Sequence, residues 1–498
     1  MIKMSYNELL KKYSNTHSQT VNLTKKMLNL NEIENAEFNT KNIIDVISKK
    51  EKNIKVTLIG EVQSGKTRNL ITLVKKVLDD NLFDHVIWLS GTNKNLAGQT
   101  LERYARENSG TLYNGEIIFY DSSENKGEED FLINNWSKND KKVISLVLKH
   151  SSHVSKFFTT LRKSLLSGKK LLLIDDECDY YSISTKTKNS SIKSYLENII
   201  SSLNYNKTVY LGVTATPYSN FNPKKSGNLF PDYAILLNIN HDSYTGINWF
   251  NKHKNSIYVI TKNNKGSENY DDSLSKGLVN LIFSYIARKD KMKSEMLVNI
   301  DLENNKHEEI RRNILIIIDG WQQDIIFNKN KLKKRISEIC ISLKYSRNEE
   351  IVESIIEVIK NFCDIFKIYI LNSEEQNDYI KNTYESGVEN CVVIGGVMIS
   401  RGFTFENLTT EVMINGPKTK NKIDVLLQRA RWFGYRRSSK HYIRIIMSEE
   451  IQEAFDEAEF IQNKIVNLFG EKWVIENVLT IYQVLQRYED NFKSLEIW

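Results

Sequence analysis

Residues 60–67, Gly-Glu-Val-Gln-Ser-Gly-Lys-Thr, constrain this chain more than any other stretch. They follow the apolar run Val56-Thr57-Leu58-Ile59 and precede residues 68–78, whose apolar positions recur at helical spacing. A strand, a glycine-flanked loop and a helix, in that order, are the context of a P-loop. Glycine lets the backbone fold back so that successive N–H groups point at one anion. The helix that begins there adds the positive end of its dipole. Gly60, Gln63, Ser64, Gly65, Lys66 and Thr67 are therefore the candidate phosphate cradle. Lys66 is placed to reach the β/γ-phosphates of ATP, and the Thr67 hydroxyl to hold Mg²⁺. The alternative, a chance match in a glycine-containing turn, does not account for the flanking strand and helix.

A chain of 498 residues exceeds one ordinary core and divides into two to four domains. With 40% hydrophobic and 26% charged residues, the composition is that of a globular protein. No apolar run reaches membrane-spanning length, and the first residues lack an apolar signal core, so a cytoplasmic location without membrane contact is expected. The cysteines, Cys178, Cys340, Cys363 and Cys391, are scattered without paired metal spacing, which argues against a disulfide framework or a zinc site. The net charge of +7 is compatible with a nucleic-acid surface, but Lys, Asn and Ile are abundant throughout. Charge alone therefore decides little.

Residues 1–50 read as a polar, helical lead-in. From 51 to 240, short β-rich runs alternate with helical runs. The strand candidates are 56–59, 85–90, 116–120, 143–148, 170–174 and 208–213. Several are continuously apolar, as expected of strands buried on both faces of a parallel sheet. In such α/β sheets ligands sit beyond the C-terminal ends of the strands. Three strand ends carry chemistry. Ser90-Gly91-Thr92-Asn93 follows the second strand. Asp175-Asp176-Glu177-Cys178-Asp179 follows 170–174. Crowded carboxylates repel unless a cation gathers them, and beside a P-loop that cation is Mg²⁺. Asp176 is the candidate metal holder and Glu177 the base that activates water. An acidic helix start is the alternative. Thr214-Ala215-Thr216-Pro217 follows 208–213, where threonine hydroxyls can bond the acidic motif, and Thr214 and Thr216 are candidates for coupling.

Residues 241–312 are expected to form a mainly helical insert or hinge. Residues 313–447 are expected to form a second α/β lobe, opened by a strand at 314–318 and continued by strands at 367–371, 391–394, 410–414 and 442–447. No second P-loop occurs. Residues 428–437, Gln-Arg-Ala-Arg-Trp-Phe-Gly-Tyr-Arg-Arg, hold a dense cluster of arginines and aromatics. Arg431 and Arg436 could contact a γ-phosphate. The cluster could equally be a basic helix end or a nucleic-acid patch with aromatic stacking. Residues 448–498 read as a helical tail.

The motifs occur in one order: P-loop, strand-end Gly-Thr, Asp-Glu-x-Asp, Thr-Ala-Thr-Pro, Ser-Arg-Gly-x-Thr (400–404) and Gln-x-x-Arg (428–431). That order resembles superfamily 2 helicases and translocases. More narrowly, the chain resembles the Z-one domain family of bacterial helicase-like ATPases, over about residues 55–447, and the run Arg431-Trp432-Phe433-Gly434-Tyr435-Arg436 is its most specific element. The resemblance implies an α/β protein of two RecA-like lobes, parallel sheets flanked by helices, with helical N-terminal, inserted and C-terminal segments. It implies that Gln428, Arg431 and Arg436 complete the nucleotide site from the second lobe. It also implies that Gly91, Thr92 and Gln99, with Arg401 and Thr404, face nucleic acid. It further implies DNA as partner, a setting in bacterial anti-phage defence or restriction, and MutL- or MORC-like ATPase or nuclease partner proteins. Ala430 stands where the family usually has Gly, and the Gln-to-Arg spacing is one residue short. The stretch 314–321 lacks the His or Ser expected after its strand, and no Asp…Glu-x-Lys nuclease constellation is present.

The reading is thus a Mg²⁺-dependent ATPase of helicase or translocase type. A rival is an ATP-dependent switch or scaffold that binds DNA or a partner and recruits a nuclease without unwinding. A nucleotide kinase is a third reading, against which the acidic motif and the arginine cluster both argue.

Overall fold

The computed structural model of the chain describes residues 30–91, 117–122, 142–163, 166–179, 182–183, 191–239, 243–260, 270–288, 293–300, 304–346, 348–371, 379, 390–396, 405, 407–413, 420–436 and 439–498. The chain divides into two compact units: residues 1–240, 463–489 and 498 form the first, and residues 241–462 and 490–497 the second. Both are α/β units built on parallel sheets flanked by helices. Among the described residues, no helix is long and apolar enough to cross a membrane.

In the first unit the described strands are β1 (Asn53–Ile59), β2 (His85–Ser90), β3 (Ile117–Asp121), β4 (Lys142–Leu148), β5 (Lys170–Asp176), β6 (Lys207–Thr214) and β7 (Tyr233–Leu236). The later strand β15 (Val474–Ile475) pairs antiparallel at one edge. The order is β15-β7-β1-β6-β5-β2-β4-β3. Strands β2 and β5 are buried along almost their whole length, which is why they read as unbroken apolar runs. The helix Lys66–Asp79 buries Leu70, Ile71, Leu73, Val74, Val77 and Leu78 against this sheet, one face of a 3.6-residue period.

The second unit holds β8 (Tyr258–Ile260), β9 (Glu295–Asn299), β10 (Lys367–Ile370), β11 (Cys391–Gly395), β12 (Leu408–Met413) and β14 (Arg444–Met447), in the order β10-β11-β9-β12-β14-β8. Its described pairings are all parallel. A small ladder joins β13 (Asn421–Lys422) to β16 (Leu495–Glu496).

The structure departs from three sequence expectations. Residues 314–318 are not a strand: they lie inside the helix Asn304–Phe327. Ile310, Ile314, Ile317, Ile318 and Trp321 are buried while Leu315 and Ile316 are exposed, so the run is one apolar face of a helix plus two outward residues. A short apolar run does not separate strand from helix by itself. Second, residues 241–312 are not a separate insert, since β8 and β9 belong to the second sheet and β9 lies at its centre. The sequence conceals β9 because only Met296-Leu297-Val298 is apolar; Glu295 and Asn299 are buried polar ends. Third, the 448–498 tail is not purely helical, as β15 and β16 each add to a ladder.

The helix Asp271–Ala287 lies close to β9 and β12 at Gly277. A Cβ there would stand 2.6 Å from Met296 Cε and 2.7 Å from Val412 Cγ2. In the helix Asn304–Phe327, a Cβ at Gly320 would meet nothing within 4 Å. Gly277→Ala is expected to lower the urea-unfolding free energy by about 1–3 kcal/mol through overpacking. Gly320→Ala is expected to raise it by about 0.5–1 kcal/mol through helix propensity. Equal effects from the two would contradict this packing.

Candidate nucleotide site

The phosphate loop leaves β1 in the register that β6 sets. Ile59 pairs with Thr214, and the Gly60 N–H donates to the Thr214 carbonyl at 3.1 Å. Gln63 (φ 57°) and Gly65 (φ 81°) are left-handed, and Gly65 caps the helix that starts at Lys66. This alternation turns the loop into a backbone nest at a helix N-terminus. A Cβ on Gly60 would stand 2.8 Å from each of Leu237 Cδ1, Lys66 Cγ and Ser64 Oγ, so any larger residue would force these side chains to shift. Lys66 Nζ donates to the carbonyls of Gly60 at 3.1 Å and Glu61 at 2.8 Å, which holds the ammonium over the loop. The Ser64 hydroxyl is buried without a protein partner. Thr67 lies half-buried in the first helical turn. Nest, glycine, lysine and unpartnered hydroxyl together fit a phosphate-bearing nucleotide.

The acidic motif stands two strands away, on β5. Asp176 pairs with Val213 of β6, one residue before Thr214, so the ends of β1, β6 and β5 are level. Asp176 and Glu177 are partly exposed there, and Glu177 adopts a left-handed φ of 52°. The Glu177 N–H donates to Asp176 Oδ1 at 3.1 Å. The Asp176 carboxyl is pushed up to about 6 by burial and then by the Glu177 carboxylate; Lys66 and Lys149 pull it down. The level ends of β1 and β5 bring the phosphate loop and the acidic turn to the same edge of the sheet. The donor set of Thr67 and Asp176, a hydroxyl and a carboxylate, suits a hard divalent cation such as Mg²⁺.

Thr214 Oγ1 donates to Asp179 Oδ1 at 2.8 Å and Thr216 Oγ1 to Asp179 Oδ2 at 2.9 Å; the Thr216 N–H donates to Thr214 Oγ1 at 2.9 Å. Both oxygens of the last carboxylate of the motif are thus held by the threonine turn. Each such bond to a charged acceptor is worth about 1.5–3 kcal/mol. The turn between is tight: Cys178 is buried, its N–H donates to the Val213 carbonyl, and a Cβ on Gly212 would approach its Sγ to 3.0 Å.

Residues that the sequence reading missed support both loops. Lys149 follows β4 directly and ion-pairs with buried Asp175 at 2.7 Å; Tyr210 Oη donates to the other Asp175 oxygen at 2.7 Å. Lys149 stands at a strand end, where functional residues are sought, so its position was a usable signal. An asparagine relay was not legible. Asn69 Nδ2 donates to the Gly65 carbonyl, Asn39 Nδ2 to Asn69 Oδ1 at 2.9 Å, and the Asn238 N–H to Asn39 Oδ1 at 2.8 Å. It ties the lead-in helix Leu30–Ile47 to the phosphate loop through amides far apart in sequence.

In the second unit, Gln428 lies near the end of the helix Ile423–Arg429 and is buried. Arg431 and Arg436 are also buried. Arg431 Nη1 donates to the Gln428 carbonyl at 3.4 Å. Arg436 donates to the carbonyls of Phe405, Arg431 and Phe433. Buried Glu411 of β12 accepts the Trp432 N–H at 3.0 Å and lies near Asn299, which bonds Arg429. Burial pushes the Glu411 carboxyl up to about 8, against the opposing pull of Arg431. The structure thus brings Gln428, Arg431 and Arg436 together in one buried loop. Gly91 lies half-buried after β2. Thr92, Gln99, Arg401 and Thr404 lie outside the described residues.

A phosphate loop and an acidic turn at level ends of a parallel sheet, clasped by a threonine turn, define a helicase-like P-loop α/β protein. Residues 273–476 match the Z1 domain, and residues 11–219 match the type III restriction enzyme res subunit. The later part of the chain is thus similar to the Z1 domain and the earlier part to the res subunit. No curated protein matches the chain in sequence. Among solved structures it is similar to S. cerevisiae Dbp5 bound to RNA and ADP BeF3, at TM-score 0.45 and 14% identity over 93% of this chain and 100% of that chain. It is similar to RecG bound to a three-way DNA junction, at TM-score 0.47 and 12% identity over 97% of this chain and 56% of that chain. It is similar also to the DUF1998 helicase MrfA bound to DNA and AMPPNP, at TM-score 0.46 and 12% identity over 92% and 52%. The chain spans about half the length of the latter two.

The raised Asp176 carboxyl makes stability depend on pH. It is protonated in the fold between the usual carboxylate range and about 6. Its contribution to stability is full below pH 4 and is lost as pH rises through 6. Without nucleotide or metal, Asp176→Asn is expected to unfold about 1–2 kcal/mol harder than the parent at pH 7.5, and to gain less at pH 5. Urea unfolding at the two pH values checks this; a less stable variant at pH 7.5 contradicts it.

Proposed function

We propose that this protein is a Mg²⁺-dependent ATPase of the superfamily 2 helicase or translocase type that acts on DNA, within a bacterial anti-phage or restriction system. The observation that carries the reading is the site of the first unit. The phosphate loop and the acidic turn leave level ends of one parallel sheet, and Thr214 and Thr216 clasp Asp179 at the end of that turn. The match to a restriction-enzyme subunit supports DNA as the nucleic acid.

In this reading Lys66 leaves the Gly60 and Glu61 carbonyls for the phosphates of ATP, while the left-handed loop offers its N–H groups to the same oxygens. Thr67 and Asp176 would hold Mg²⁺, which supplies positive charge to the phosphoryl oxygens. Glu177 takes the proton of the attacking water. Thr214 and Thr216 register the state of the site through Asp179 and pass it to the loop after β6. Gln428, Arg431 and Arg436 are proposed as γ-phosphate contacts, a role in which the arginines exchange their present carbonyl partners for phosphate oxygens. Gly91, Thr92, Gln99, Arg401 and Thr404 are proposed to contact nucleic acid. A MutL- or MORC-like ATPase or a nuclease is the proposed protein partner.

The test is phosphate release by the purified protein with ATP and Mg²⁺, with and without single- and double-stranded DNA, beside Glu177→Gln. DNA-stimulated turnover that falls about 10²–10⁴-fold in the variant supports the proposal. Turnover indifferent to Glu177→Gln, or absent under every condition, contradicts it.

A further inference from the structure

Lys149 makes its contacts with the acidic turn: an ion pair to Asp175 and two hydrogen bonds to the backbone that follows. Its side chain is 1% exposed. Its Nζ stands 2.7 Å from Asp175 Oδ1 and donates at 2.8 Å to the carbonyls of both Asp176 and Glu177. The ammonium thus donates to two peptide carbonyls and ion-pairs with a carboxylate oxygen. Lys149 is not on a strand next to β5: the order β5-β2-β4 puts β2 between them. The Lys149 N–H is tied to the Ser90 carbonyl at the end of β2, and the side chain reaches over that strand end.

A buried ion pair is poor value for stability alone, because apolar residues of similar volume pack as well without desolvating charge. Both hydrogen bonds of the ammonium go elsewhere, to the peptide groups that carry Asp176 and Glu177. The second of those residues is left-handed without being glycine, a conformation L residues adopt at a cost. A donor that satisfies the carbonyls on both sides of that turn holds it in place. On the other side, Cys178 N–H to Val213 O and the threonine bonds to Asp179 complete the clamp.

We infer that Lys149 is a positioning residue. Its ammonium fixes the left-handed turn at Glu177, and so sets where the Glu177 carboxylate stands relative to the phosphate loop. The inference rests on the ATPase reading for its kinetic consequence and on geometry alone for its structural one. The rival is that Lys149 only neutralises Asp175.

The two separate with Lys149→Arg and the pair Lys149→Met/Asp175→Asn. Arginine keeps the charge beside Asp175, but its planar fork does not converge on the two adjacent carbonyls as an ammonium does. The double variant removes both charges together. Both are expected to melt within a few degrees of the parent, with kcat for ATP down tenfold or more and KM within twofold. In crystal structures of both, Glu177 is expected to leave the left-handed region. Parent-like kcat with Glu177 still left-handed in either folded variant overturns the inference. Lys66→Ala is run in parallel. If the parent and Lys66→Ala are alike inactive, the ATPase reading has failed, while the Glu177 backbone in the variant crystals still decides the role of Lys149.

Discussion

The candidate site depends on the register of β6. That strand pairs Thr214 with Ile59 of β1 on one side and Val213 with Asp176 of β5 on the other. A parallel ladder fixes which strand ends stand level, and a slip by one residue would turn every side chain to the opposite face. Because the ends are level, the phosphate loop, the threonine turn and the acidic turn begin at one height. The bonds from Thr214 and Thr216 to Asp179 then become geometrically available. The apolar run of each strand is what sets this register, through cores such as Leu58, Val213 and Ile174.

Charge burial around that register follows one pattern. Asp175 is fully buried and held by Lys149 and Tyr210, while Asp176 and Glu177, one and two residues later, reach the partly exposed rim. A structural carboxylate and two candidate working carboxylates therefore occupy consecutive positions, and solvent access separates their roles. In the second unit a different arrangement holds the arginine loop. Arg436 donates to three backbone carbonyls through its terminal nitrogens, and Glu411 accepts the Trp432 N–H from the sheet beneath. The loop is thus a folded object in its own right, with its guanidinium groups inside it.

Much of the first unit was legible because parallel strands buried on both faces leave continuous apolar runs, and the loops after such runs are where polar residues gather. His85–Ser90 and the acidic strand were readable for that reason. The second unit was less legible at its centre. Glu295 and Asn299 bracket three apolar residues and bury their own polar groups, as in the bond from the Asn407 N–H to Glu295 Oε2. The helix around residues 314–318 presented five apolar residues in a row, only some of which face the core. The Asn39–Asn69–Asn238 relay could not be read, since amides announce a partner only once the fold has brought them together.

The central claim is that residues 60–67 form a working nucleotide cradle whose lysine is essential. The most direct measurement is calorimetric titration of the protein with ADP and with the non-hydrolysable ATP analogue AMPPNP, in Mg²⁺ and in EDTA, beside Lys66→Ala. The account predicts one nucleotide per chain, tighter AMPPNP binding in Mg²⁺ than in EDTA, and loss of tight binding in Lys66→Ala. Absence of binding by the parent protein, or binding of equal strength in Lys66→Ala, would contradict it.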